Sequence, residues 1–239
     1  AGLILSNLLS LVGLCLFYKL ARDDCGERVA NIALVLLLAF PGAIFFSFVY
    51  TESLFLCLSV LFLSSLKKAN YPLAAAAGFF MPLTRLVGVL SFFPYVWQLV
   101  SKRESPVKWF YCAGPILGLL VYFSIMMFFT GDPFAGIAGA QRYASEASFI
   151  KIFDVGHFLS DLFSPIRLSH SVLNSSMDRL WFLWFVPALY FTWKINRSYF
   201  VYALLMGLVP AMTSSFMSYT RYLVVVFPLF IATAKLFSN

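Results

Sequence analysis

Along the chain, long apolar runs alternate with brief polar interruptions, and the runs have the length of helices. They fall near residues 2–20, 29–49, 53–66, 71–83, 86–100, 109–130, 180–194, 199–216 and 221–237. A helix needs about 20 mostly apolar residues to cross a bilayer, because in lipid every backbone N–H and C=O must be satisfied within its own segment. Runs of this kind do not suit a closed barrel, whose strands alternate over roughly 10 residues. The pattern predicts an all-α, polytopic transmembrane helix bundle of about 8–9 spans, one domain over residues 1–239. Pro82 and the polar pair Thr84-Arg85 interrupt the stretch 71–100. Such breaks are tolerated in membranes where the freed backbone lines a protein-bounded cavity.

Polar positions give the bundle two sides. Lys19, Arg22, Arg28, Lys67, Lys68, Lys102, Arg103, Lys108, Lys194, Arg197 and Lys235 make up 11 of the 17 basic residues, and all fall in alternate connections or near the end. The positive-inside rule makes that side cytoplasmic. The intervening connections, residues 50–53, 84–85, 131–178 and 215–221, then face outward. In the longest of these, 131–178, Phe149, Ile152, Phe153, Leu159, Leu162 and Phe163 recur at helical spacing while Lys151, Asp154 and Asp161 take other faces. A helix lying on the outer leaflet and a helix packed on the bundle both fit that pattern.

Composition agrees with the spans: 62% of residues are hydrophobic and 11% charged, more apolar surface than one soluble core could hide. The net charge of +7 does not indicate nucleic acid, since the basic residues form no stripe or single face. Cys15, Cys25, Cys57 and Cys112 lack metal or redox spacing and read as packing residues. His157 and His170 are too few for a histidine-based metal site, although a carboxylate site stays open. No cofactor is identified, and a divalent metal is compatible with the sequence but has no ligand set.

Chemistry is therefore sought on the outward side. Tyr50, Thr51, Glu52 and Ser53 form a tight turn between two apolar helices. Glu52 either lines an outward site, where it could bond sugar hydroxyls or a metal, or supports a helix start capped by Thr51 or Ser53. Arg85 lies between two apolar half-spans, where a permanent charge either meets an anion or snorkels to the interface. Arg221 precedes the last run on the same side, so the two arginines together could clamp a phosphate or diphosphate. Gly131, Asp132 and Pro133 form a turn signal, with Gln141 and Arg142 about two helical turns farther on.

Taken in order, Ser6-Asn7, FPGAIFFSFVYTESLF, the TR of PLTRLVGVL, GDPFAGIAGAQ and SYTRYLVVVFPLF resemble the GPI mannosyltransferase 2 family and its prokaryotic relatives. These belong to the membrane-embedded GT-C glycosyltransferases. The resemblance implies transfer of a sugar, mannose for this family, from a polyprenyl-phosphate-linked donor to a glycan or glycolipid acceptor on the extracytoplasmic or lumenal face. It implies a multi-pass protein of the plasma membrane in a prokaryote or of the endoplasmic reticulum in a eukaryote. It gives Arg85 and Arg221 to the donor phosphate, and Tyr50, Glu52, Asp132, Gln141 and Arg142 to a sugar or acceptor pocket. GT-C enzymes usually hold an essential acidic residue in the first large outward loop. The chain opens within an apolar run, without an initiator Met, and reads as a fragment lacking that loop. The catalytic base is then expected upstream of Ala1, and the fragment alone is expected to be inactive. A transporter or flippase of lipid-linked sugars, or a non-catalytic membrane subunit, are the competing readings.

Overall fold

A computed structural model describes residues 1–143, 149–163, 176–214 and 216–238, apart from the side chains of residues 140–143 and 149–150. Among the described residues the chain is all-α, with no strand. The helices are α1 (Gly2–Cys25), α2 (Glu27–Ala39), α3 (Glu52–Lys67), α4 (Tyr71–Thr84), α5 (Phe92–Ser101), α6 (Pro106–Trp109), α7 (Gly114–Thr130), α8 (Ala135–Tyr143), α9 (Val155–Phe163), α10 (Ser176–Ile195), α11 (Arg197–Thr213), α12 (Tyr219–Leu223) and α13 (Pro228–Ser238). Short 3-10 turns occupy Pro41–Phe46, Leu86–Ser91, Phe110–Ala113 and Phe149–Phe153.

Contacts between helix ends fix the direction of each leg. Ser6 near the start of α1 donates to the Phe48 carbonyl and lies 3.4 Å from Ser53 of α3, while Asp24 at the far end of α1 pairs with Lys67 at the far end of α3. α1 and α3 are therefore parallel and packed on each other, and α2 runs back against α1 and α13. α4 begins beside Lys67 and delivers Arg85 back to Glu52. α5 leads away again to Glu104, which accepts from the Tyr71 hydroxyl at 2.7 Å. α6 and α7 then run parallel to α4. α10 starts at the Glu52 end, where Asp178 accepts from the Thr220 amide at 2.7 Å. At the Asp24 end α11 starts with Tyr199, whose hydroxyl donates to Asp24 at 2.6 Å. α12 brings Arg221 to Glu52, and α13 leaves toward the Asp24 end. Nine helical legs thus alternate among the described residues. Lys67, Lys102 and Lys108 gather at the Asp24 end, through Lys67 with Asp24, Lys102 with the Lys67 carbonyl and Lys108 with Glu104.

The legs are unequal. Gly2–Cys25 and Pro106–Thr130, 24 and 25 residues long, are long and apolar enough to cross a membrane, whereas Leu86–Ser101 and Pro228–Ser238 are shorter apolar helices. Only 28% and 17% of the most apolar windows of the two long helices are buried. Leu8 and Leu11 on α1, and Leu120, Phe128 and Phe129 on α7, stand among their exposed apolar residues.

Local chemistry explains several ends. Asn70 and Asn196 cap α4 and α11, with their side-chain oxygens accepting from Leu73 N and from Ser198 N and Tyr199 N. Gly131 closes α7 in the left-handed conformation, φ 75°, which costs glycine nothing. The predicted run 29–49 stops as a helix at Ala39, because Pro41 drives Phe40 into extended backbone, φ −68° and ψ 134°. Pro82, by contrast, stays inside α4, and the break comes at Arg85, φ −150° and ψ 127°. The amphipathic stretch 149–163 is not one helix either. It divides at Asp154, whose carboxylate accepts from His157 N at 2.9 Å and so starts α9. Phe158 and Leu162 pack on the core, while Phe153 and Phe163 stay exposed. Close packing of α7 on α4 depends on glycine: a Cβ at Gly114 would lie 2.5 Å from the Ala75 carbonyl oxygen, and one at Gly118 would lie 2.0 Å from that of Phe79.

Candidate functional site

Three of the residues singled out on the outward side meet in one cluster. Glu52 is the first residue of α3 and has no exposed surface. Its Oε1 accepts from Arg85 Nη1 at 2.9 Å and also from Arg221 Nε. The two partners come from positions 33 and 169 residues away in sequence, so no local motif announces the pairing. Exposure rises across the cluster, from 0% for the Glu52 side chain to 10% for Arg85 and 29% for Arg221.

Aromatic rings cover both cations. The Arg85 guanidinium lies 4.5 Å from the Tyr222 ring centroid and 6.0 Å from that of Phe55. Arg221 lies 4.3 Å from the Tyr50 ring and 5.3 Å from the Phe45 ring. Ring faces attract guanidinium and lower the local dielectric, which strengthens every charge interaction inside. The rings and Glu52 together restrict the rotamers of two otherwise flexible side chains.

The start of α3 reinforces the arrangement. The helix dipole favours a carboxylate in the first turn, where Glu52 sits. Thr51 makes no side-chain capping bond, and Ser53 instead donates to the Phe46 carbonyl at 3.0 Å, tying α3 to the preceding turn. Glu52 thus holds both arginines through a buried carboxylate oxygen. Its second oxygen, Oε2, is buried and has no hydrogen-bond partner among the described residues.

Arg221 is presented by a constrained turn. Phe216 and Ser218 hold φ of 61° and 53°, a left-handed conformation costing a non-glycine residue about 1–3 kcal/mol. Phe216 is fully buried, with its ring centroid 5.4 Å from Phe158, 5.3 Å from Phe182 and 5.8 Å from Tyr219. Packing from α9, α10 and α12 thereby keeps the turn in place. Asp178 braces the same segment by accepting from both the amide and the hydroxyl of Thr220.

Asp132 is exposed and closes its own turn by accepting from Phe134 N at 2.9 Å. Gln141 and Arg142 belong to α8, but their side chains lie outside the described residues. Tyr50 joins the site through its ring, a role its position in the turn did not suggest. Phe45, Phe55 and Tyr222 were not among the sequence candidates; Phe55 lies one helical turn from Glu52 and Tyr222 next to Arg221, a spacing that could have found them, whereas Phe45 sits in the preceding 3-10 turn with no such signal.

No group of three or more His, Cys, Asp or Glu side chains able to hold a metal occurs among the described residues. Elsewhere an apolar groove of about 370 Å³ runs between α2, α10 and α13, lined in part by Phe40, Trp181, Trp184 and Phe230. Comparison with protein-family models, curated proteins and solved structures gives no match.

Proposed function

We propose that the chain is a multi-pass membrane protein whose Glu52 end receives the phosphate of a polyprenyl-phosphate-linked sugar. On this reading it transfers the sugar, mannose for the resembled family, to a glycan or glycolipid acceptor. The observation that carries the reading is the convergence of Arg85 and Arg221 on one buried carboxylate, at the end opposite Lys67, Lys102 and Lys108. Apolar, largely unburied α1 and α7 support the membrane setting, because an exposed apolar surface of that extent is stable against lipid and not against water. The site belongs to the plasma membrane of a prokaryote or to the endoplasmic reticulum of a eukaryote.

The chemistry asks little of the phosphate end beyond fixed positive charge. The acceptor hydroxyl oxygen attacks C1 of the sugar, its proton passes to a base, and the C1–O bond to phosphate breaks with its electron pair on the departing oxygen. Negative charge grows on that phosphate in the transition state. Arg221, the more exposed cation, and Arg85 behind it meet that charge without reorganising, since Glu52 and four aromatic rings already hold them. Among the described residues Arg221 uses only Nε toward Glu52, so its terminal Nη groups are available to a phosphate. The resemblance implies an acidic side chain as that base, and none of the described residues is assigned the role. The groove beneath Trp181 offers room for an apolar chain.

The test uses the full-length protein in vesicles, with polyprenyl-phosphate mannose carrying labelled sugar and with lipid acceptors. Label should move covalently to the acceptor. Arg221→Ala should lower that transfer by at least about 100-fold, and because Glu52 keeps Arg85 the variant should still fold. Label that crosses the bilayer without covalent transfer replaces this reading with transport. Neither transfer nor crossing leaves a non-catalytic membrane subunit.

A further inference from the structure

The cluster holds an odd charge count. Among the described residues, Glu52 is one carboxylate against two permanent guanidiniums, a count of +1 in a largely buried cluster. Asp178 and Arg179, buried neighbours on α10, add one charge of each sign and leave the sum unchanged. Uncompensated charge in a low-dielectric setting is costly, so the site favours the anion that cancels it and penalises one that overshoots.

We infer that Glu52 is a specificity-determining positioning residue: by cancelling one of the two arginines it tunes the site to a singly charged phosphodiester and against a doubly charged phosphomonoester or a diphosphate. This deepens the sugar-transfer reading and rests on it for the identity of the site, while the selectivity can be measured without any transfer. It also gives the site a release step. A sugar phosphodiester carries one negative charge, and transfer of the sugar leaves a phosphomonoester of about −1.5 to −2 at neutral pH. The product then exceeds the +1 of the site, would leave negative charge buried without compensation, and is held less tightly than the donor.

Binding of dimethyl phosphate, methyl phosphate, short-chain phosphatidylglycerol and short-chain phosphatidic acid to the purified full-length protein in detergent tests the inference. The first and third are singly charged diesters, the others monoesters, and the soluble and lipid members separate a free phosphate from a lipid headgroup. The wild type should bind each diester about tenfold tighter than its matched monoester. Glu52→Gln raises the site to +2 and should reverse that order, whereas Glu52→Asp keeps the count and should preserve it. Should Glu52→Gln fail to fold, Arg221→Gln carries the test: it brings the count to zero and should weaken diester and monoester alike by about tenfold or more. An unchanged diester preference in folded Glu52→Gln, or undiminished binding of both classes in Arg221→Gln, overturns the inference. Sugar transfer combined with unaltered preference would sink this proposal and leave the enzyme reading standing. The expected reversal without any sugar transfer would do the opposite.

Discussion

The two ends of α3 handle charge in different ways. Glu52 opens the helix and Lys67 closes it, roughly 22 Å apart at 1.5 Å per residue. At the Lys67 end each of two ion pairs joins one cation to one carboxylate, with the lysines well exposed to water: Lys67 with Asp24, at 40% and 5% side-chain exposure, and Lys108 with Glu104, at 41% and 17%. At the Glu52 end two cations share one oxygen of a carboxylate that has no exposure at all. The first arrangement ties loops together, and each pair could be exchanged at small cost. The second gives stability a poor return, because well-packed apolar residues in its place would hold the fold as well or better. A buried, unbalanced cluster kept at one end of a helical bundle is therefore better explained by something it binds.

The sharpest way to break this contrast is to remove the shared carboxylate. Glu52→Ala leaves Arg85 and Arg221 facing each other beneath the rings, and should destabilise the protein by about 3–5 kcal/mol. Lys67→Met at the opposite end should cost about 1 kcal/mol or less, because Lys67 is water-exposed and Asp24 keeps Tyr199. Unfolding in mixed micelles titrated with dodecyl sulfate compares the two. Equal losses would mean that the ends do not differ in kind.

How far the sequence reveals this contrast depends on which contacts are local. The alternation of legs and the gathering of Lys67, Lys102 and Lys108 at one end follow from apolar run length and basic spacing, both visible in one dimension. Arg85, Arg221 and Glu52 could be picked out singly, as charges beside apolar runs. Their union could not, because pairings across 33 and 169 residues depend on helix packing, and two arginines without their carboxylate read as a site waiting for an anion. The contacts at the Asp24 end, Tyr199 with Asp24 and Tyr71 with Glu104, are hidden for the opposite reason: they sit among basic connections that the run pattern already accounts for. Prolines were legible only in part. Pro41 ends a helix through its effect on Phe40, yet Pro82 remains within α4 and the chain breaks at Arg85, where the side chain must reach Glu52.

A middle-sized effect probes the matched end from within. Tyr199 is 1% exposed, and its hydroxyl donates to Asp24 across 175 residues of sequence. Tyr199→Phe removes a hydrogen bond to a charged group and should cost about 1.5–3 kcal/mol, less than the Glu52 substitution because Asp24 retains Lys67. The same micelle titration measures it. A loss as large as that of Glu52→Ala would show that the Asp24 end is equally dependent on one group.

The smallest expected effect is one of pH. Lys108 donates to Glu104 at 2.6 Å and Tyr71 at 2.7 Å, and these bonds, the lysine's first, hold the Glu104 carboxyl below its ordinary value of 4.5. Folding therefore favours the ionised form. The stabilisation is complete above the ordinary carboxylate range and disappears as the pH falls through the lowered value, because protonation then removes the charge to which both partners donate. Glu104→Gln should leave a protein whose unfolding midpoint varies less between pH 6 and pH 3 than that of the wild type, in runs of about half-unit pH steps chosen to resolve a shift of this kind. Glu52→Ala and Tyr199→Phe should weaken the fold across the whole of that range, so only the glutamine variant should alter the slope. Identical slopes for wild type and Glu104→Gln would assign the Tyr71–Glu104–Lys108 contacts to geometry alone, and with them the view that the matched end stabilises through charge.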